Sequence, residues 1–382
     1  MHLTNNNAKR NAILVGLCKN SKQIKNIWPV HSKEESLEEL NGLADTAGFS
    51  VVDSMQVYFR RINPRSFLGK GKIEELKNLV EHHKANWVVF NEDLTPSQNR
   101  NIENYLNCSV IDRCALIINI FAKHASTREA KTQVELARLN YLLPRLTGKW
   151  GHLSRQRGGI GLREVGEKQL EIDRRIIRKQ IFKLKKELVS IDKERKTQRK
   201  KRSVLFKAAL VGYTNAGKST LMNVLTGSSL LVKDKLFATL DSSVRTLKVA
   251  GNPKILITDT VGLIDKLPHS LIASFKTTLD EIKYANLIIK VVDFSNPSFE
   301  NHIRTTENAL QELGTSNISS FWVYNKIDLV QPREALENLR NRYPENVFVS
   351  GKDGSGISIF KEKIKAYHRQ YLNGSKKGEG TL

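Results

Sequence analysis

Residues 212–219 read Gly212-Tyr-Thr-Asn-Ala-Gly-Lys-Ser219, a complete G-x-x-x-x-G-K-[ST] loop. A loop of this composition cradles phosphates with its backbone N–H groups, and the helix behind it turns the positive end of its dipole toward them. Lys218 then reaches the β- and γ-phosphates, and Ser219 offers a hydroxyl to Mg2+. Two further signatures follow in order, Asp259-Thr-Val-Gly262 and Asn325-Lys-Ile-Asp328. Asp259 is placed to hold the ion from the layer behind its direct ligands, and Gly262 presents a backbone N–H to the γ-phosphate. The Asp328 carboxylate accepts two hydrogen bonds from the N1 and N2 edge of guanine, which adenine cannot supply. A buried polar site of that kind rejects the wrong base by about 10⁴–10⁵. The ligand implied is GTP or GDP, not ATP, whereas the loop alone would also fit a glycine-rich turn opening an ordinary helix.

Thr239, in Leu236-Phe-Ala-Thr239-Leu-Asp241, falls where a switch I threonine would meet Mg2+ with its hydroxyl or carbonyl; the plainer reading is a surface turn. The candidate catalytic set is therefore Lys218, Thr239 and Gly262, with Ser219 and Thr239 as Mg2+ ligands. The nucleotide contacts expected are Gly212, Tyr213, Thr214, Asn215, Ala216, Gly217, Lys218, Ser219 and Thr220 in the loop, Phe237 and Ala238 in switch I, and Asn325, Lys326 and Asp328 at the base. Ser350, Gly351 and Lys352 border the base after another strand-like run, and form the weakest of the signals. Asn215 either helps to coordinate K+ near the β/γ bridge or satisfies its own turn. Residue 263 is Leu263, where a Ras-type enzyme carries the glutamine that orients the attacking water. A leucine cannot orient water, so unaided hydrolysis should be slow, on the order of 10⁻⁴ s⁻¹, and an external accelerator is expected.

The elements that must position these residues are legible in outline. Each signature follows a short apolar run: Phe206–Val211, Lys254–Thr258 and Phe321–Tyr324. Strand ends of this kind are where open α/β sheets hold their ligands. The fold class expected is α/β: a P-loop GTPase domain at 204–370, with a mostly parallel sheet and helices on both faces. A small α/β domain at 1–125 and a long antiparallel helical hairpin at 126–203 precede it. In the first domain, Ala12–Leu17, Phe49–Val57, Trp87–Phe90 and Ser109–Ile111 read as strands. Ser32-Lys-Glu-Glu35 and Thr95-Pro-Ser-Gln98 read as helix starts. A third start, Ser126-Thr-Arg-Glu129, opens a helix running to about Leu146. In the second hairpin helix, from 167 to 202, Ile177, Ile181, Leu184, Leu188 and Ile191 recur at spacings of four and three, a coiled-coil-type seam. The tail at 371–382 is expected to be disordered.

The chain has 382 residues and a formal net charge of +23. So basic a balance is most simply explained by a polyanionic partner. Residues 167–202 hold fifteen Lys or Arg against six Asp or Glu, an excess of 15 − 6 = 9. That is too lopsided for salt-bridge lacing and favours phosphate contact over a merely solvated face. Between the hairpin helices, residues 147–166 carry five glycines from 151 onward, together with Trp150, His152, Arg155, Arg157 and Arg163. Loops of this length are functional or disordered, and Arg and Trp can stack on bases. No run of about 20 apolar residues exists, which excludes a membrane span. Cys18, Cys108 and Cys114, an odd count without C-x-x-C spacing, fit a reducing cytoplasm.

Several stretches carry a family resemblance. They include Phe67-Leu-Gly-Lys-Gly-Lys72, Leu94-Thr-Pro-Ser-Gln-Asn-Arg100, Gln133-Val-Glu-Leu-Ala137, Arg155-Gln-Arg-Gly-Gly-Ile-Gly161 and Gln169-Leu-Glu-Ile-Asp-Arg-Arg175. Over about residues 35–365 the chain resembles the HflX family of ribosome-associated GTPases. The resemblance implies a protein that binds the large (50S) ribosomal subunit and its rRNA in the GTP state and splits stalled or idle ribosomes, and the chain is expected to be monomeric. It also implies that the glycine-rich loop faces the peptidyl-transferase centre and that the ribosome is the accelerator Leu263 calls for. Two departures stand out: Glu164-Val-Gly-Glu-Lys168, where the family has Gly-Pro-Gly-Glu-Thr, and Ser350-Gly351, where it has Ser-Ala. Read from residues alone, a ribosome-assembly or RNA-modification GTPase stays open, as does an RNA-binding module stabilised by nucleotide.

Overall fold

In a computed structural model the described residues are 10–18, 35–58, 62–146, 160–201, 205–228, 236–237, 239–240, 243–248, 254–265, 281–331 and 333–378. The chain forms two compact units, one of residues 1–123 with 131–188 and one of residues 124–130 with 189–382.

The first unit is built on four parallel strands: β1 (Asn11–Cys18), β2 (Ser50–Tyr58), β3 (Trp87–Phe90) and β4 (Ser109–Asp112), in the order β2-β1-β3-β4. Helices α1 (Glu35–Ala47), α2 (Lys70–His82), α3 (Pro96–Leu106) and α4 (Arg113–His124) alternate with them. Parallel pairing requires such crossovers, and strands covered on both faces read as continuous apolar runs. Trp87-Val-Val-Phe90 is one of them, with Val88 and Phe90 packed against Leu76 and Ile102. At α3 the capping box is complete: Thr95 accepts from the Gln98 N–H, and Gln98 accepts from the Thr95 N–H. The Ser32 start lies outside the described residues.

The carboxyl edge of this sheet carries a buried polar cluster. Asp112, fully buried, accepts from Tyr141 Oη at 3.0 Å, Arg145 Nη2 at 2.9 Å and the Ala115 N–H at 2.9 Å. Arg113 beside it contacts Asn91 and Glu39. Burial and the Asp112 charge hold the Tyr141 hydroxyl in its neutral form.

Helix α5 (Arg128–Leu142), followed by a turn to residue 146, packs on α6 (Ile160–Lys201) through Leu136, Leu139 and Ile181, flanked by Ile177, Leu184 and Leu188. Four of the five seam residues that the spacing picks out are in this cluster, and Ile191 is buried outside it. The cap is Thr127, whose hydroxyl accepts from the Ala130 N–H. Helix α6 starts at Ile160, seven residues before the expected 167, so the backbone around Gly161 and Gly166 is helical despite their low propensity. Loop residues 147–159 lie outside the described set. Along α6, Arg175, Arg178, Lys179, Lys183, Lys185, Lys186 and Lys193 are all exposed.

The second unit holds a six-stranded sheet of β5 (Phe206–Gly212), β6 (Ser243–Leu247), β7 (Ile255–Asp259), β8 (Leu287–Asp293), β9 (Ser320–Asn325) and β10 (Val347–Phe348). Its order is β10-β9-β8-β5-β7-β6, parallel except for the β6 edge. Side chains alternate across β5 with the period of two that a strand imposes. Ala208 and Leu210 face α7 (Lys218–Thr226) and α10 (Ile357–Gly378), while Ala209 and Val211 face α8 (Phe299–Glu312). Helix α9 (Arg333–Arg342) adds Leu336 to an aromatic cluster of Trp322, Tyr324 and Phe348. Helix α10 continues through Gly378, past residue 371, where the sequence suggested disorder. Among the described residues no helix is long and apolar enough to cross a membrane.

Replacing Asp112 with alanine would leave the Tyr141 hydroxyl without its acceptor and Arg145 without its ion-pair carboxylate at a buried edge, a loss of about 3 kcal/mol. The expected outcome is a lower urea midpoint for the first unit, and an unchanged midpoint would contradict the weight given to this cluster.

Candidate functional site

The three signatures converge at the carboxyl ends of β5, β7 and β9, because parallel strands deliver their following loops to one edge. The phosphate loop leaves β5 at Gly212, paired with Val291 of β8. A Cβ at Gly212 would lie 2.0 Å from the Val291 carbonyl oxygen, so only glycine fits this approach. Asn215 adopts φ +60° and Gly217 φ +85°, the left-handed turns that curl the loop into the N-terminus of α7. Lys218 is buried and folds back over the loop, donating to the carbonyls of Gly212 (3.1 Å) and Tyr213 (2.8 Å). Burial lowers its ammonium to about 8, partly opposed by the negative charge of Asp259. An ammonium so desolvated is primed to pair with an incoming polyanion.

Asp259 ends β7, fully buried. Its Oδ2 accepts from Ser219 Oγ at 2.6 Å, and Ser219 Oγ lies 2.7 Å from Thr239 Oγ1. Burial raises the Asp259 carboxyl, with Lys218 pulling the other way. Two buried polar atoms here have no hydrogen-bond partner: Asp259 Oδ1 and Thr214 Oγ1. Buried polar atoms in folded proteins are nearly always satisfied, so orphans at one site mark where a ligand completes the set. The all-oxygen donors Ser219, Thr239 and Asp259 suit a hard divalent cation such as Mg2+. Among the described residues no group of three His, Cys, Asp or Glu could hold a metal, a pattern that a hydroxyl-based site does not present.

Beyond β7 the chain is laced to the phosphate loop. Leu263 N–H donates to Gly212 O (3.0 Å), Thr214 N–H to Leu263 O (2.8 Å), and Asp265 N–H to Tyr213 Oη (2.9 Å). Tyr213 in turn stacks on His302 of α8 at 3.8 Å. Leu263 is buried in a small apolar cluster with Ala209, Val211, Ile282 and Ile288. Among the described residues this cluster offers no polar side chain to orient water.

On the base side, Asn325 at the end of β9 donates from Nδ2 to Ala216 O (2.9 Å) and accepts at Oδ1 from the Gly351 N–H (3.1 Å). It ties the phosphate loop to the 350–352 turn, where Ser350 Oγ accepts from the N–H groups of Lys352 and Asp353. Lys326 is held at φ +62° with its Nζ 2.8 Å from Asp293 Oδ2. Asp328 sits in a 3-10 turn, Ile327–Leu329, on the wall of the cleft. A Cβ at Gly351 would meet Thr220 Cγ2 at 3.2 Å, a contact that glycine leaves unmade.

The cleft encloses about 370 Å3. Its wall takes in Thr214, Asn215, Gly217, Lys218, Ser219 and Thr220 from the loop and Phe237, Thr239 and Gly262 from the switch segments. Asn325, Lys326, Asp328, Gly351 and Lys352 complete the base side. Gly212, Tyr213, Ala216, Asp259 and Ser350 lie behind that wall as supports, and Ala238 is outside the described residues. Thr260 and Leu329 also line the cleft without having been expected. Asp293, which pins Lys326, was missed as well. Its signal is the one that marks Asp259, a carboxylate ending the apolar strand Leu287–Asp293.

Three family models match in sequence order: "GTP-binding GTPase N-terminal" over residues 34–122, "GTP-binding GTPase Middle Region" over 124–202 and "50S ribosome-binding GTPase" over 207–326. GTPase HflX of Caldanaerobacter subterraneus is 45% identical over 334 residues, covering 87% of this chain and 77% of the relative. The chain belongs to the GTPase HflX family. GTPase HflX of Escherichia coli is 40% identical over 326 residues, covering 85% and 76%. The crystal structure of the SsGBP–GDP complex is 26% identical, with a TM-score of 0.53, covering 95% of this chain and 99% of that one. As an HflX-family member the protein is a GTP-binding GTP hydrolase.

Gly262 approaches the phosphate loop so closely that an added Cβ would lie 2.8 Å from Thr214 Cγ2 and 2.9 Å from Thr214 Cα. Gly262→Ala should force the two segments apart and cut hydrolysis by at least about 10²-fold, as loss of one transition-state donor does. GDP binding should survive, since the base side is untouched. Single-turnover hydrolysis and GDP titration check this, and full hydrolysis by the variant would contradict the assigned packing.

Proposed function

We propose that this HflX-family GTPase is a nucleotide-gated factor for the large (50S) ribosomal subunit and its rRNA, engaging it in the GTP state and splitting stalled or idle ribosomes. The observation that carries the reading is the burial of Leu263, which leaves the hydrolytic position without a polar side chain. An enzyme so built hydrolyses slowly alone and needs a partner to order the attack. The matched 50S ribosome-binding model and the exposed basic face of α6 point to what that partner is. A helix of this charge gains its affinity from displaced counterions along a phosphate backbone.

In this reading Gly217, Lys218 and the α7 N-terminus bind the β- and γ-phosphates, and Asn325 and Asp328 fix the guanine. Ser219 and Thr239 supply hydroxyl ligands for Mg2+, with Asp259 behind them, and Asn215 borders the place where K+ would sit. Bound there, the cations neutralise charge that develops between the β- and γ-phosphates. Gly262 follows the γ-phosphate with its N–H, and the Leu263 and Asp265 hydrogen bonds pass that position on to the phosphate loop. The protein acts in the cytoplasm as a monomer, part of it on ribosomes.

Co-sedimentation with purified 50S subunits tests the reading. Association is expected with a non-hydrolysable GTP analogue and should fall at least about fivefold with GDP. Equal association in both states would overturn it, and preference for precursor particles over mature 70S ribosomes would move it to ribosome assembly.

A further inference from the structure

The segment after Gly262 is held at two ends. At the near end, the hydrogen bonds of Leu263 and Asp265 fasten it to the phosphate loop. At the far end, Ile282 is fully buried in the same small cluster as Leu263, which fixes Glu281 next to it. Glu281 Oε1 lies 3.6 Å from Arg195 Nη1, on α6. The Nε of the same guanidinium lies 2.6 Å from Glu129 Oε2, in the first turn of α5. All three residues belong to the second unit, at the stems from which both hairpin helices continue.

One guanidinium thus serves two carboxylates on three chain segments. Its delocalised charge lies within ion-pair distance of both carboxylates, a geometry that a lysine point charge on a flexible stem matches less well. Glu129 is 7% exposed, Glu281 20% and Arg195 26%. Screening at that depth is partial, and removal of the cation would leave two facing carboxylates that repel.

We propose that Arg195 is a positioning residue for GTP hydrolysis. It clamps Glu281 to the stems of both hairpin helices, so that a partner seated on the hairpin biases the loop bearing Gly262. Coupling of this kind runs through packed contacts: Gly262 and Leu263, the shared apolar cluster, Ile282 with Glu281, then Arg195 and Glu129. Its ribosomal half rests on the reading of the hairpin as the subunit-binding part.

Full-length wild type, Arg195→Lys, Arg195→Met and the near-isosteric Glu281→Gln are compared in two readouts. The first needs no ribosome: backbone hydrogen exchange in peptides covering 125–135 and 255–265, with GDP and with a non-hydrolysable GTP analogue. Wild type should show a nucleotide-dependent change in both peptides. Arg195→Met should lose it at 125–135 and keep it at 255–265, and Arg195→Lys should retain part of it. The second is single-turnover hydrolysis at saturating 50S. The stimulated rate should fall at least about fivefold in Arg195→Met and Glu281→Gln, with the 50S concentration for half-maximal effect unchanged. A nucleotide response at 125–135 that survives Arg195→Met overturns the proposal, as does a loss explained wholly by weaker 50S binding. Absent stimulation in wild type with an intact exchange pattern would sink the ribosome reading and leave the clamp standing.

Discussion

The site depends on one steric constraint: the phosphate loop is a backbone enclosed by other backbones. The Val291 carbonyl presses on Gly212, the Asn325 amide on Gly217, and Thr214 on Gly262, each within 2.0–2.9 Å of where a Cβ would stand. Three glycines therefore let three strand ends meet around one turn. Close approach leaves the polar side chains of Lys218, Asp259 and Asn325 buried. Those groups tolerate burial because each finds partners inside the fold. Lys218 has two carbonyls, Asp259 has Ser219, and Asn325 has Ala216 and Gly351.

The remaining imbalance is where function enters. Burial shifts Lys218 down and Asp259 up, so both charged forms are strained without a ligand. Thr214 Oγ1 and Asp259 Oδ1 lack partners at the same place. In the proposed reading a triphosphate with its cation would supply what is missing, beside the hydrogen bonds that tie Leu263 and Asp265 to the loop. Leu263, at the position after Gly262, spends its side chain on the apolar cluster with Ile282.

The parts legible in the sequence are those fixed by local rules. Trp87–Phe90 and Phe206–Gly212 announce themselves as apolar runs, Thr95 and Gln98 as a capping box, and the 177-181-184-188 spacing as a helix seam. The motif residues come together because parallel strands must release their loops at one edge. What was not legible depended on distant partners. Asp112 meets Tyr141 and Arg145 from 29 and 33 positions away, and Asp293 meets Lys326. The Arg195 pairs span three segments that no periodicity connects. The early start of α6 defied the helix-weakening effect of Gly161 and Gly166, and α10 outran a composition that suggested disorder.

Guanine recognition by Asp328 is the claim on which the nucleotide reading turns, and an exchange of base preference measures it most directly. Fluorescent GTP and xanthosine triphosphate are titrated against wild type and Asp328→Asn. The account predicts that the substitution weakens GTP at least about 10²-fold while strengthening xanthosine triphosphate, because the asparagine amide can donate to the xanthine 2-oxygen that stands where guanine carries its donating amino group. Unchanged GTP affinity in Asp328→Asn, with no gain for xanthosine triphosphate, would contradict it.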